Sequence, residues 1–189
     1  LSPAEFCNAM RATMPEGVTD AQIEQAICNF IIDIPTHRLV ALRQLREKYG
    51  IYVLSNTNPI MFEGIIDKLF RKEGRQMSDY FDGVTVSYRA KHNKPAPEIF
   101  EYAISTMGIR PEETLFLDDS QRNLDAAAKF GFATALVPEG GEFMDILKQL
   151  NLASCKSFAT PIPYQSTAPL QPSACSTVCT LGTSRSSTR

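Results

Sequence analysis

Thr114-Leu115-Phe116-Leu117-Asp118-Asp119-Ser120-Gln121-Arg122-Asn123-Leu124-Asp125-Ala126-Ala127-Ala128 carries the reading of this chain. An apolar run ends in two adjacent carboxylates and turns at once into a helical pattern. A strand of this kind sets hard oxygen ligands at the carboxyl edge of a sheet, where open α/β folds bind ligands, and such oxygens suit magnesium. Acids at a helix start also complement the macrodipole, but a tandem pair carries mutual repulsion that a cation relieves.

Two further stretches share the layout. Ile51-Tyr52-Val53-Leu54 runs into Ser55-Asn56-Thr57-Asn58-Pro59, and Val84-Thr85-Val86-Ser87 precedes Lys91-His92-Asn93-Lys94-Pro95-Ala96-Pro97. A hydroxyl, a lysine and an acid pair thus stand at successive strand ends, and the set reads as a phosphate and metal site. Taken singly, Ser55 is an ordinary strand-end hydroxyl in a turn rich in Asn and Pro, and Lys94 a solvated loop lysine. In the set, Ser55 Oγ and the Asn56 backbone N–H face phosphate oxygens. Lys94, held extended before proline, aims inward ahead of a helix. Lys91 is its near neighbour and decoy, while His37 and His92 read as surface residues.

Around these strands, helical and strand patterns alternate from Pro35 to about Asn151, which predicts an α/β, doubly wound, Rossmann-like parallel sheet. Leu39, Leu42 and Leu45 mark a helix closed by Gly50. Phe100, Ala103, Ile104 and Met107 mark another. A helix through Leu124 and Ala127 stops at Gly131. Strand 133–137 leads to a last helix with Phe143, Ile146, Leu147 and Leu150 inward. Four strands are counted.

Residues 1–34 read as two helices opened by the capping boxes Ser2-Pro3-Ala4-Glu5 and Thr19-Asp20-Ala21-Gln22. Their apolar faces are Phe6, Ala9 and Met10, then Ile23, Ala26, Ile27 and Phe30. A hairpin so small must pack on something else. Residues 152–189 turn to Ser, Thr, Pro and Cys with no acid, a composition that predicts a disordered tail. A shifted reading frame would leave the same mark.

The 189 residues are 43% hydrophobic and 21% charged, which suits one domain with a sizeable core plus an appendage. The formal net charge is −2; the three cations and absence of acids after Leu152 place −5 on residues 1–151. Neither nucleic acid nor a membrane surface is implied as partner. No apolar run reaches the roughly 20 residues that span a bilayer, and the start lacks a signal-peptide pattern, so a cytoplasmic location is expected. The five cysteines are scattered. Cys175 and Cys179 have ligand-pair spacing, but no second pair or nearby His completes a zinc site.

In this order, Leu54-Ser55-Asn56, Lys94-Pro95-Ala96-Pro97-Glu98-Ile99-Phe100 and Phe116-Leu117-Asp118-Asp119-Ser120 resemble three of the four motifs of the haloacid dehalogenase (HAD) superfamily. The likeness is to its helical-cap phosphatases, the sugar-phosphate phosphatase and epoxide hydrolase amino-terminal type, and covers residues 1 to about 151. Residues 1–34 then correspond to part of the cap and 35–151 to the core. The resemblance implies Mg2+-dependent hydrolysis of a small phosphorylated metabolite, sugar phosphates included, through an aspartyl-phosphate. Ser55, Asn56 and Lys94 would hold the phosphoryl group, Lys94 would also offset charge at the nucleophile, and Asp119 supported by Asp118 would hold the metal. Asn123 stands where many relatives have another acid.

The first motif, a strand ending Asp-x-Asp, is absent, and with it both the nucleophile and the acid/base. Asp33-Ile34-Pro35-Thr36 mimics it, but proline takes the second position and the preceding residues are helical in phase. By resemblance the missing strand is central, between strands 51–54 and 114–117. The expectation is therefore an amino-terminally truncated phosphatase, inactive by itself. Two alternatives stand beside it: a non-catalytic phosphate- and metal-binding regulatory module, and a metal-independent haloacid dehalogenase, which leaves Asp118-Asp119 unexplained.

Overall fold

The computed structural model describes residues 2–29 and 33–152, together with the backbone of residues 179–184. Helices α1 (Pro3–Arg11) and α2 (Asp20–Cys28) form the leading hairpin. Both capping boxes are made: Ser2 and Glu5 satisfy each other's backbone N–H, as do Thr19 and Gln22, which removes orphan donors at each helix start. Cys7, Ile23 and Ile27 form the buried seam, and it closes on Ile60. Ala9 and Ala26, expected on the apolar faces, are exposed, and Cys7 fills the centre instead.

Helix α3 (Thr36–Arg46) buries Leu39, Leu42 and Leu45 as its spacing predicts. Gly50 does not close it. The helix ends at Glu47 in right-handed geometry, and Gly50 lies inside β1 (Tyr49–Ser55), where an added Cβ would come within 3.0 Å of the Tyr52 ring. Asn58 then caps α4 (Pro59–Met61) by accepting from Met61 N at 2.9 Å. A π-helical turn, Phe62–Ile66, joins it to α5 (Asp67–Phe70).

There follow β2 (Gly83–Val86), α6 (Ser87–Ala90), α7 (Pro97–Met107), β3 (Leu115–Asp118), α8 (Gln121–Ala128), β4 (Ala133–Leu136) and α9 (Phe143–Gln149). Gly131 sits at φ +92°, a conformation open to glycine without a Cβ clash, and ends the turn after α8. Within α9 only Leu147 is buried; Leu150, expected inward, is 46% exposed.

A fifth strand, β5 (Cys179–Ser184), changes the expected sheet. The strand order is β2-β1-β5-β3-β4. β1 pairs β2 and β3 pairs β4 in parallel, whereas β5 runs antiparallel to both β1 and β3. The slot expected to stand open is thus occupied, from within the segment whose composition predicts disorder. Two flanking strands offer unpaired backbone groups on both sides, and satisfying them outweighs the weak local preference of a Ser/Thr-rich stretch. Residues 153–178 and 185–189, the rest of that predicted tail and Cys175 of the Cys175/Cys179 pair among them, lie outside the described residues.

Both faces of β1 and β3 are covered, as in other doubly wound sheets. On one side Leu39, Leu42, Ile51, Val53, Phe70, Tyr80, Leu117 and Leu147 form a continuous core. On the other, Leu54, Ile99, Phe100, Phe116, Leu124 and Phe132 do so, with Phe100 and Phe116 edge to face at 5.7 Å. These helices hold the ends of β1, β2 and β3 at one edge.

Candidate active site

Ser55 ends β1 and is 4% exposed; its side chain makes no hydrogen bond among the described residues. Asp118 ends β3, also buried. With β5 between their strands, the two ends stand about 10 Å apart, two strand spacings. The register shows how far β5 reaches: Cys179 pairs with Val53, and on the other side Thr180 pairs with Phe116. Leu54, Ser55, Leu117 and Asp118 lie beyond the described pairs with β5.

Lys94 bridges the ends of β1 and β3. Its Nζ donates to Asp118 Oδ2 at 2.8 Å, with both side chains at 0% exposure. The ammonium also lies 5.7 Å from the Phe116 ring centroid, a further favourable contact for a desolvated cation. Asp118 Oδ1 accepts from Ser120 N at 2.8 Å and Asn123 Nδ2 at 3.0 Å. The carboxylate is therefore paired and hydrogen-bonded, the condition for burying a charge.

At its other end Lys94 meets Asn56. The Asn56 side chain donates from Nδ2 to Lys94 O at 3.0 Å and accepts at Oδ1 from Lys94 N at 2.8 Å. A second reciprocal pair ties the end of β2: Ser87 Oγ accepts from Thr57 N at 3.0 Å and donates to Thr57 O at 2.9 Å. Three strand ends are thus joined, two by side chains acting on backbone and the third by the Lys94–Asp118 ion pair. The role of the Asn56 amide, Ser87 and Phe116 escapes sequence reading. For Ser87 the signal was a polar residue closing an apolar strand, as at Ser55.

The remaining candidates separate clearly. Asp119 is exposed and makes no hydrogen bond or ion pair among the described residues. Lys91 is exposed at φ +62° on the turn after α6, and His92 is exposed too. His37 lies beside Glu142, 3.5 Å away, with half its side chain in solvent. Asp33 precedes α3 outside the sheet and ion-pairs with Lys72, so it holds no strand-end position. Asn123 turns its amide to Asp118 and serves as a support for that carboxylate.

Magnesium requires oxygen donors in octahedral array, commonly one or two carboxylates with several waters. The exposed Asp119 carboxylate fits that demand. Asp118, sealed and committed to three donors, fits as the residue that fixes the neighbouring loop. No cluster of three His, Cys, Asp or Glu residues capable of holding a metal occurs among the described residues. No described helix is long and apolar enough to cross a membrane.

Beside the site, Tyr88 donates to Glu63 at 2.8 Å, and Arg89 bonds the same oxygen. Burial, then the Glu63 bond, pushes the Tyr88 hydroxyl up to about 12. The bond from Tyr88, then that from Arg89, holds the Glu63 carboxyl below its ordinary value.

Comparison with known proteins agrees with this architecture. D-ribitol-5-phosphate phosphatase of Bacteroides thetaiotaomicron is 36% identical over 141 residues, 75% of this chain and 68% of that protein. Bifunctional epoxide hydrolase 2 of Rattus norvegicus is 26% identical over 82% of this chain, which spans only 28% of that enzyme's length. In structure, a HAD family enzyme of Bacteroides thetaiotaomicron, an aspartate-to-alanine mutant in complex with magnesium and inorganic phosphate, superposes with a TM-score of 0.73 and 39% identity, covering 77% of this chain and 75% of that one. The haloacid dehalogenase-like hydrolase family signature matches residues 16–131, and this chain belongs to that hydrolase family.

Proposed function

We propose that this chain is the phosphate- and metal-binding part of a magnesium-dependent phosphomonoester hydrolase acting on a small phosphorylated metabolite, with polyol and sugar phosphates as its substrate class. The observation that carries this reading is the Asn56–Lys94–Asp118 bridge between the ends of β1 and β3. A phosphoryl group seated there meets the Ser55 hydroxyl and the Asn56 N–H as donors, and the Lys94 charge offsets its own. Asp119 would hold magnesium, which when bound neutralises phosphoryl charge as a Lewis acid. The names of the relatives, a sugar-alcohol phosphate phosphatase among them, support the substrate class. Phosphorylated metabolites are held within cells, and we place the protein in the cytoplasm.

The covalent step needs an aspartate facing phosphorus. Both Asp118 oxygens are engaged, and Cys179–Ser184 contains no acid. With β5 in the slot the chain binds phosphate without turnover. With a strand bearing Asp-x-Asp in its place, the first aspartate attacks phosphorus, the second protonates the leaving oxygen, and water then releases phosphate. The occupied slot also favours a second reading, a binding module that keeps the pocket and omits the chemistry.

The test is to assay the chain with magnesium for phosphate binding and for hydrolysis of ribitol 5-phosphate, with and without an amino-terminal segment carrying the Asp-x-Asp strand. Binding alone, then turnover once the segment is added, is expected. Binding with no turnover in either form favours the module. Turnover by the chain as it stands, abolished in Asp119→Ala, would show that the nucleophile lies elsewhere.

A further inference from the structure

Lys94 is held at three points, and two of them come from one residue. Asp118 takes its ammonium; the Asn56 carboxamide takes its backbone N–H and its backbone carbonyl together. The two bonds bracket the Lys94 Cα, so they limit both dihedrals on which the side chain's direction depends. Asn56 does this from an exposed position immediately after the buried Ser55. Its amide is turned to the chain of another loop, 38 residues away.

This arrangement resembles a rung of sheet made by a side chain. The loop before α7 has no strand partner at this level among the described residues. Asn56 supplies one donor and one acceptor in the spacing that a neighbouring strand would present. The loop that carries Asn56 is itself secured at Thr57 by Ser87, so the segment that makes the clamp is fixed to the end of β2. An exposed lysine would need no such support. Lys94 is sealed and must reach Asp118 from a loop, and a shift of about 1 Å is enough to cost on the order of 10²-fold in a positioned site.

We infer that Asn56 is a positioning residue for Lys94: its side chain sets the direction of the lysine, and thereby the strength of phosphate binding, while its backbone N–H faces the anion. The inference rests on the phosphate-site reading above. It makes the Ser55-Asn56 pair bifunctional, one side chain directed to the ligand and the next to the residue that balances the ligand's charge. Aspartate keeps the acceptor and loses the donor, glutamine keeps both on a longer stem, and alanine loses both.

The experiment uses the full chain with Asn56→Ala, Asn56→Asp and Asn56→Gln. Inorganic phosphate affinity in the presence of magnesium, amide exchange at Lys94 and the melting curve are measured together. Asn56→Ala is expected to weaken phosphate by about tenfold, the size of one to two neutral hydrogen bonds, and to expose the Lys94 N–H to exchange, with its melt close to that of wild type. Asn56→Gln is expected to recover part of the affinity, and Asn56→Asp to keep Lys94 N–H protection without recovering phosphate. Wild-type phosphate affinity in Asn56→Ala overturns the inference, whether or not exchange at Lys94 changes, because the clamp is then only a brace. If wild type itself binds no phosphate, the reading of the site falls first and the inference with it. The two failures are therefore separable.

Discussion

Lys94 Nζ and Asp118 Oδ2 meet at 2.8 Å across 24 residues of sequence, with neither side chain reaching solvent. Such a pair need not add net stability, yet removing one partner strands the other in a low-dielectric interior. Lys94→Ala should destabilise the chain by about 3–5 kcal/mol. Lys94→Met combined with Asp118→Leu should recover much of that loss while phosphate binding stays absent. Urea unfolding of both variants is the check, and equal stability of Lys94→Ala and wild type would show that the pair is not buried as described.

Lys91 and Lys94 differ by three positions and by environment. Lys91→Ala, on an exposed turn, should leave phosphate affinity unchanged, whereas Lys94→Ala should abolish it. Titration calorimetry with inorganic phosphate separates them. Equal effects would mean that the third motif has been placed on the wrong lysine.

Asp119 is exposed while Asp118 is sealed, so a single substitution can separate metal binding from folding. Asp119→Asn should weaken magnesium by more than about tenfold, removing a charged ligand where such a site commonly uses one or two, with the melt unchanged. Asp118→Asn should unsettle the fold, because it leaves Lys94 without its counter-charge.

Two of the six tyrosines should resist titration. Burial, then the bond to Glu73, raises Tyr80 to about 12, and burial, then the bond to Glu63, does the same for Tyr88. A tyrosine raised above its ordinary value of about 10 holds its proton in the fold. The stabilisation is complete below pH 10 and is lost as pH rises toward 12. Absorbance of tyrosinate should therefore show two groups lagging behind in the native chain, and both should join the others in denaturant.

Leu181 faces Ile51 on one side and Leu115 on the other in the β5 register. Leu181→Pro removes a backbone donor from the middle of the sheet and should cost about 1–3 kcal/mol through the partner left unsatisfied. A melt identical to wild type would show that β5 contributes nothing to the sheet.

What could be read along the chain was what depends on neighbours in sequence. The capping boxes at Ser2 and Thr19 act over three residues and are made as written. The inward faces of Leu39, Leu42, Leu45, Phe100 and Ala103 follow from helical period alone. The order Ser55, Lys94, Asp118-Asp119 was enough to indicate the family, because each motif is a short run of neighbours in sequence, at a strand end or just ahead of a helix. Sequence could not say that Asp118 is sealed and Asp119 open, that the Asn56 amide serves Lys94, or that Gly50 belongs to a strand. Residues 175–181 show some strand character and could fill the slot, yet the sequence favours an open gap over the antiparallel strand at 179–184 that lies between β1 and β3. Each of these is settled by a partner tens of residues away: a buried charge, amide or strand edge takes whichever complementary group the fold brings within about 3 Å, and only the tertiary structure makes that choice.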